Sequence, residues 1–600
     1  MGTSTRSYTP IVLAFFAGII TTRILFPQSQ GGIHHISKRT TDVQDLAAHA
    51  QPWVGSTEFH PYPPASPVNY DPTLFPSDIG YSGPTPTGGE PALLATAPAY
   101  PKLSSGGQGL LVVPDELSTN NFDILKRWGN LSPWYSNPVG TFGVEAGPEA
   151  PDGCSVTGLH LLHRHGARYP TRDTYSPSEP AAFGERIHAV GGNWTATGKL
   201  AFLNDWTFKL GGEVLTPFGR HQLFELGATV RLKYGNLLKN FTETNTLPVF
   251  RTESQDRMLA SALNFAIGFF GYPFDGQYEQ SITIESSKFN NTLAPYTTCL
   301  NAWHPKRGGR AGWFVTQWAN RYLQPALKRI NSLISGHQFE IPDIFAMQNL
   351  CAYETVALGY SSFCPLFTKE EWEGFDYSFD LNFWYTSGFG SPVGRAQGIG
   401  YVQELVARLT KTPIQTHNST TNSTLDDNPI TFPLDGRSLY VDATHEVTVV
   451  NVLTALNLST LAATGPLPYD YIPENRSFIA HEVAPFATNV QFQLLSCAST
   501  TGEQIRVIVN DAPVPLSPLK YCPEETRYGL CPVDGFVSSL KEIIQDTDFA
   551  WACLGDYILP DGDAWLTVDG TPPPKHENFT VQGMGSASWE YEGWKWPLPY

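Results

Sequence analysis

Positive charge is scarce in this chain. Its 38 lysines and arginines face 56 aspartates and glutamates, a formal net charge of −18 at pH 7, whereas neutralising a phosphate backbone takes a broad basic field. That excludes nucleic acid as a partner. Closely paired cysteines are absent as well: the eight are widely spread and none forms the CxxC step of a structural zinc site. Neither a Walker glycine loop nor an HExxH helix is present, which removes two signatures of nucleotide and zinc chemistry, and no internal repeat points to a solenoid or propeller.

What is present begins with signs of export. Arg6 precedes the apolar run Ile11–Ile20, an n-region and h-region of secretory type. No clear cleavage site follows and residues 21–26 prolong the run towards spanning length, so 1–26 reads either as a signal peptide or as an N-terminal membrane anchor. Both place the rest of the chain outside the cytoplasm, secreted or on the extracellular face. Nine N-x-S/T sequons, at Asn130, Asn193, Asn240, Asn290, Asn418, Asn422, Asn457, Asn475 and Asn578, fit a glycosylated surface. An even number of cysteines in an exported protein reads as four disulfides.

With 600 residues, 41% of them hydrophobic and 13% aromatic, the chain can build one large or two intimate domains plus appendages. Residues 27–110 are rich in Pro, Gly, Ser and Thr without helical or strand period, a disordered linker. The globular region follows over 111–555, with a C-terminal tail at 556–600. Apolar spacing predicts strands over Val156–His163 and Ser438–Thr444, helices over Gly219–Tyr234 and Leu259–Phe270, and another helix within 447–458. Strands alternating with helices give an α/β fold. Between about 292 and 409 the character shifts to helix and loop, rich in Trp and Tyr, a helical insertion forming one wall of a cleft.

The chemistry concentrates in LLHRHGARYPT, where a strand-like run ends in Arg164, His165 and Arg168. Packing these groups together costs repulsion and desolvation unless an anion sits among them. His445 and Glu446 follow the second strand-like run, and in an open α/β sheet functional groups gather at the carboxyl ends of strands. A phosphoryl group, with about two charges and three acceptor oxygens, matches guanidinium forks bidentately. A covalent phosphohistidine at His165 then needs no metal and no cofactor. The arginines would depress the His165 pKa and keep the nucleophile neutral in acid. Glu446 is the nearest candidate to protonate the leaving alcohol.

RHGARYPT resembles the RHGxRxP signature of the histidine acid phosphatases (histidine phosphatase superfamily, branch 2). Further segments resemble its fungal 3-phytase branch: LTPFGRHQLFELG, RTESQDRMLASALNFAIGFFGY, CAYETVALGYSSFCPLFTKEEW, GSPVGRAQGIGYVQELVARLT and IRVIVNDAPVPL, so that the likeness runs from about residue 122 to 555. The resemblance implies a mixed α/β domain (phosphoglycerate-mutase-like) and a smaller helical domain with the site between them. It implies that His165 is phosphorylated and that Arg164, Arg168, Arg251 and His445 hold phosphate oxygens. Glu446 stands where the family has the Asp of its HD motif, the proton donor. The resemblance also implies the pairings Cys154–Cys497, Cys299–Cys553, Cys351–Cys364 and Cys522–Cys531.

The family's phytases surround the pocket with lysines, after the RHG turn and before a glycine-rich segment. Here TRDTYSPSEP and DLNFWYTSGFGS carry none, leaving Arg172 and Arg186 as substitutes on one side and the apolar Leu381–Trp384 on the other. The expected substrate is therefore a smaller or more mixed phosphomonoester than phytate, with phytate-type inositol phosphates retained as substrates. The alternative is a non-catalytic phosphate-binding surface protein of the same fold, its Asp-to-Glu exchange marking lost chemistry. Nothing in the sequence sets the oligomeric state.

Overall fold

The computed structural model describes residues 88, 110–119, 121–171, 178–287, 289–524 and 527–576. The leader segment, nearly all of the linker, and Arg172 and Asn578 lie outside them. Among the described residues no helix is long and apolar enough to cross a membrane.

Seven strands build most of one mixed sheet: β1 (Cys154–Arg164), β2 (Val249–Glu253), β3 (Glu279–Thr283), β4 (Leu439–Thr444), β5 (Asn489–Cys497), β6 (Gln504–Val509) and β7 (Ala512–Val514). Their order is β7-β6-β5-β1-β4-β2-β3, and the two-residue strand Cys531–Pro532 pairs with β6 as the eighth. Strands β1, β4, β2 and β3 run parallel, whereas β1–β5, β5–β6 and β6–β7 are antiparallel. Every residue of β4 is buried, as expected of a parallel strand covered on both faces.

The period of two in β1 sorts its side chains between two cores. Leu159 and Leu161 join Leu223, Phe250, Phe265 and Val441 beneath helices α1 (Pro217–Tyr234) and α2 (Asp256–Phe270). Leu162 faces the opposite core, which continues into the helical half of the protein. That half contains α3 (Ala311–Tyr322), α4 (Gln324–Asn331), α5 (Ile341–Leu358), α6 (Lys369–Thr386) and α7 (Gly394–Thr410), followed after β4 by α8 (Glu446–Ala455). Capping boxes start two of these helices, Glu340 with Asp343 and Thr368 with Glu371, each satisfying amide groups left without intrahelical partners.

The four disulfides form as the resemblance implied. Cys154 and Cys497 are register partners on β1 and β5. Two sequence expectations need correction. Leu381–Trp384 does not offer an apolar rim to a substrate: these residues are buried within α6, and the Trp384 indole packs against Phe389 and Phe478. Asn130 does not offer a glycan site, because it is fully buried and its side-chain amide bonds to Glu446. Among the other sequons, Asn193, Asn418 and Asn475 are exposed and Asn240 and Asn457 half-buried. Asn290 and Asn422 spend their Nδ2 groups on backbone carbonyls.

Candidate active site

Arg164 is the register partner of Thr444, so β1 and β4 end side by side at one edge of the sheet. The next residue of each chain is a histidine. The rings of His165 and His445 are 5.6 Å apart, edge to face.

The turn after β1 is gripped by the start of α1. Thr216 caps that helix by accepting from the Gly219 amide at 3.0 Å, and its own amide donates to the Ala167 carbonyl at 2.9 Å. Gln222 Oε1 accepts the Ala167 amide at 2.9 Å. Helix and turn approach so closely that a Cβ at Gly166 would lie 2.2 Å from the Gly219 carbonyl oxygen, and one at Gly219 would lie 1.9 Å from the Ala167 oxygen. Only glycine fits either position, which gives the G of RHGAR and the G of TPFGR one common cause.

His165 Nδ1 lies 2.8 Å from the Gly166 carbonyl and donates to it, which leaves the lone pair on Nε2. Burial, then the Arg164 charge, holds this imidazole well below its usual pKa, with Arg257 adding to the effect. The neutral form is favoured accordingly. Nε2 is 3.3 Å from Glu446 Oε2. Glu446 opens α8, where a carboxylate is favoured by the helix dipole. Its Oε2 accepts from Arg164 Nε at 2.8 Å and its Oε1 from Asn130 Nδ2 at 3.2 Å. Burial pushes the Glu446 carboxyl up, but Arg164, then Arg168, outweigh it and hold the group well below the usual range.

The arginines are only partly satisfied. Arg164 Nη1 donates to the carbonyls of Asn130 and Ala484, and its guanidinium stacks over Phe486. Arg168 Nη1 donates to Tyr169 O and the Tyr353 hydroxyl. Arg164 Nη2 and both Nε and Nη2 of Arg168 are buried without a hydrogen-bond partner among the described residues. So is Nε of Arg257, whose Nη1 holds Glu213 at 2.9 Å. Such buried donors are costly unless a bound group accepts from them.

Arg251, expected among the phosphate ligands, is not brought to the others. It sits opposite Asp442, two residues before the strand ends, with Nε 2.6 Å from Asp442 and Nη2 2.6 Å from Glu404. Asp442 is shared with Arg408 and Tyr401, so this is a separate buried ion cluster. Arg257 is the arginine whose charge acts on His165. The sequence carried the signal: in RTESQDR a strand ending at Glu253 leaves the first arginine inside the sheet and the second in the first turn of α2, at the carboxyl edge.

Also unforeseen were Glu253 and Glu285, whose Oε2 atoms lie 2.9 and 3.3 Å from His445 Nε2. Burial alone would lower the His445 pKa; these carboxylates instead raise it to about 9. Histidines and carboxylates come within ligand distance of one another in two groups, His165 with His445 and Glu446, and His445 with Glu253 and Glu285; there Glu446 is paired with Arg164, and Glu253 and Glu285 face His445.

Buried guanidinium groups thus surround a histidine of depressed pKa at the carboxyl edge of a mixed sheet. The family model of the histidine phosphatase superfamily (branch 2) matches residues 155–510; the chain belongs to this family and is a phosphoric monoester hydrolase of the histidine acid phosphatase kind. It is similar to Phytase A of Aspergillus oryzae, 33% identical over 432 residues that cover 69% of this chain and 87% of the relative. Phytase A of Emericella nidulans is 34% identical over 430 residues, covering 69% and 87%. The crystal structure of the phytase from D. castellii shares the fold with a TM-score of 0.58 at 24% identity, over 74% of this chain and 92% of that one.

Proposed function

We propose that this chain is an exported acid phosphatase that hydrolyses phosphomonoesters, phytate-type inositol phosphates among them, through a phosphohistidine at His165. The observation that carries this is the set of buried, unpartnered guanidinium donors on Arg164, Arg168 and Arg257 around His165, whose Nδ1 proton is donated to Gly166 so that Nε2 keeps its lone pair. They bind the phosphoryl oxygens, His445 adds a fourth cation, and Nε2 attacks phosphorus as the ester oxygen leaves. A carboxylate beside Arg164 is ionised before substrate arrives. A bound phosphoryl dianion offsets that cation, raises the Glu446 pKa and lets it carry the proton the leaving alkoxide takes. In the second step the Glu446 carboxylate accepts the proton of the water that attacks phosphohistidine, which restores His165 and releases phosphate.

Turnover of 4-nitrophenyl phosphate in mildly acid buffer tests the reading. Phosphate binding without turnover would support the non-catalytic alternative. The guanidinium assignment has its own check: Arg257→Ala should raise the inhibition constant of inorganic phosphate and lower kcat, because contacts to the phosphoryl oxygens strengthen in the transition state. Arg251→Ala should chiefly lower the melting temperature, since it leaves Glu404 buried without its ion pair and takes one of two arginines from Asp442. Equal phosphate affinity in wild type and Arg257→Ala would remove Arg257 from the site.

The relatives' phytase names support inositol phosphates as substrates, yet TRDTYSPSEP, the segment that follows the RHG turn, carries no lysine. Arg186 is held by Asp343 at 2.6 Å. Efficiency on phytate relative to 4-nitrophenyl phosphate should be lower than in a lysine-lined phytase and fall less steeply with salt, because fewer exposed cations steer the polyanion. A strong phytate preference that collapses with added salt would contradict this. Export is supported by four disulfides, which persist in oxidising compartments, and by the exposed sequons at Asn193, Asn418 and Asn475.

A further inference from the structure

Two carboxylates close on one histidine nitrogen at the edge of the site. Glu253, the last residue of β2, is fully buried, and its Oε1 has no hydrogen-bond partner among the described residues. Its Oε2 shares His445 Nε2 with Glu285 Oε2. Glu285 Oε1 accepts from the Tyr296 hydroxyl at 2.7 Å and Gln255 Nε2 at 2.6 Å. Two buried carboxylates beside a single cation would leave one charge uncompensated, a costly state that a shared proton removes.

We propose that Glu253 and Glu285 act as one carboxyl–carboxylate dyad, sharing a proton and carrying a single negative charge, that holds His445 as an imidazolium facing the phosphoryl group and so sets the alkaline limit of turnover. This rests on the phosphatase reading of the site. Both glutamates are positioning residues, because they act through His445. The ionisation of the pair agrees: burial drives Glu253 well above the usual carboxyl range. Burial also pushes Glu285 up, but His445 and the hydrogen bonds outweigh it and hold Glu285 at about 2. The other groups facing His445 do not supply its negative charge. His165, whose ring is 5.6 Å away, is neutral. Tyr296, at 6.0 Å, is kept protonated by burial, then by Glu285. Arg257, whose charge reaches both Tyr296 and His165, opposes a second cation, and Glu446 is paired with Arg164.

The raised pKa of His445 fixes the sign: the imidazolium is present at low pH and lost as pH rises through about 9, rather than through its ordinary 6.5. The test is kcat/KM for 4-nitrophenyl phosphate, a leaving group that needs no protonation, against pH in wild type, Glu253→Gln, Glu285→Gln and the double variant. Either single variant leaves one carboxylate to carry the charge, so its alkaline limb should stay within about one unit of wild type. The double variant should lose the limb downward by about two units or more, as expected when a counter-ion and its hydrogen bonds are removed from a buried group. An unchanged limb in the double variant overturns the dyad, as does a single variant shifted as far as the double. The NMR titration of the His445 Cε1–H in wild type stands apart from turnover and from the folding of variants. An imidazolium signal persisting up to about 9 supports the dyad even if the phosphatase reading fails, and loss near the ordinary value contradicts it.

Discussion

His165→Ala should remove turnover while phosphate still binds. The nucleophile is lost, but the guanidinium donors of Arg164, Arg168 and Arg257 are fixed by other contacts, to Asn130, Tyr169 and Glu213 among them. The fall in kcat should be on the order of a millionfold, the scale measured when a hydrolase loses its covalent nucleophile. Competitive binding of inorganic phosphate, followed by calorimetry, should change far less. The folded state should persist, because the alanine removes an imidazole whose one hydrogen bond within the turn is to the adjacent carbonyl. Wild-type rates in this variant would exclude phosphohistidine chemistry at this position.

Glu446→Gln should separate substrates by leaving group. Nitrophenolate leaves without a proton and an alkoxide does not, so hydrolysis of an alkyl phosphate should fall by about a hundred to ten thousandfold, the usual value of general acid catalysis, and hydrolysis of 4-nitrophenyl phosphate by much less. Equal losses would assign the residue to positioning instead. Glu446→Asp is the companion variant. Both carboxylate oxygens are pinned, one by Arg164 and the other by Asn130. Shortening the side chain by a methylene draws the acid away from His165, and a displacement of about 1 Å can cost about a hundredfold. The family's usual residue should therefore be the worse acid in this chain.

Much of this site was legible because it is local. The strand-like run ending at Arg164 and the one ending at Thr444 show their period within a few residues, and a parallel sheet gathers the residues just past such strands at one edge. The parts that were not legible depended on contacts between distant segments. Asn130 reads as a sequon, and it is the bond from the Gly129 amide to Asp376 on α6, with the Arg127–Asp376 pair beside it, that shows the helical half holding that segment against Glu446. Arg251 and Arg257 stand at the two ends of one motif, RTESQDR, and the end of β2 between them decides which one reaches the carboxyl edge, where its charge acts on His165. Leu381–Trp384 suggested a rim because apolar residues beside a glycine-rich segment look the same in sequence whether they line a cleft or fill a core. Glu253 and Glu285 come together with His445 only because β2 and β3 are neighbours in the sheet.

The central claim is that phosphorus passes through His165 Nε2, and trapping that intermediate tests it most directly. Wild-type enzyme mixed with 4-nitrophenyl phosphate carrying labelled phosphorus is quenched within a few milliseconds into alkali, where a phosphoramidate survives, then digested and sequenced by mass spectrometry. The label should appear on His165 in the peptide containing LLHRHGARYP, to the extent of one group per active molecule, and should disappear on dilution into acid. Turnover with no label on this peptide, or with label on His445, would contradict the account.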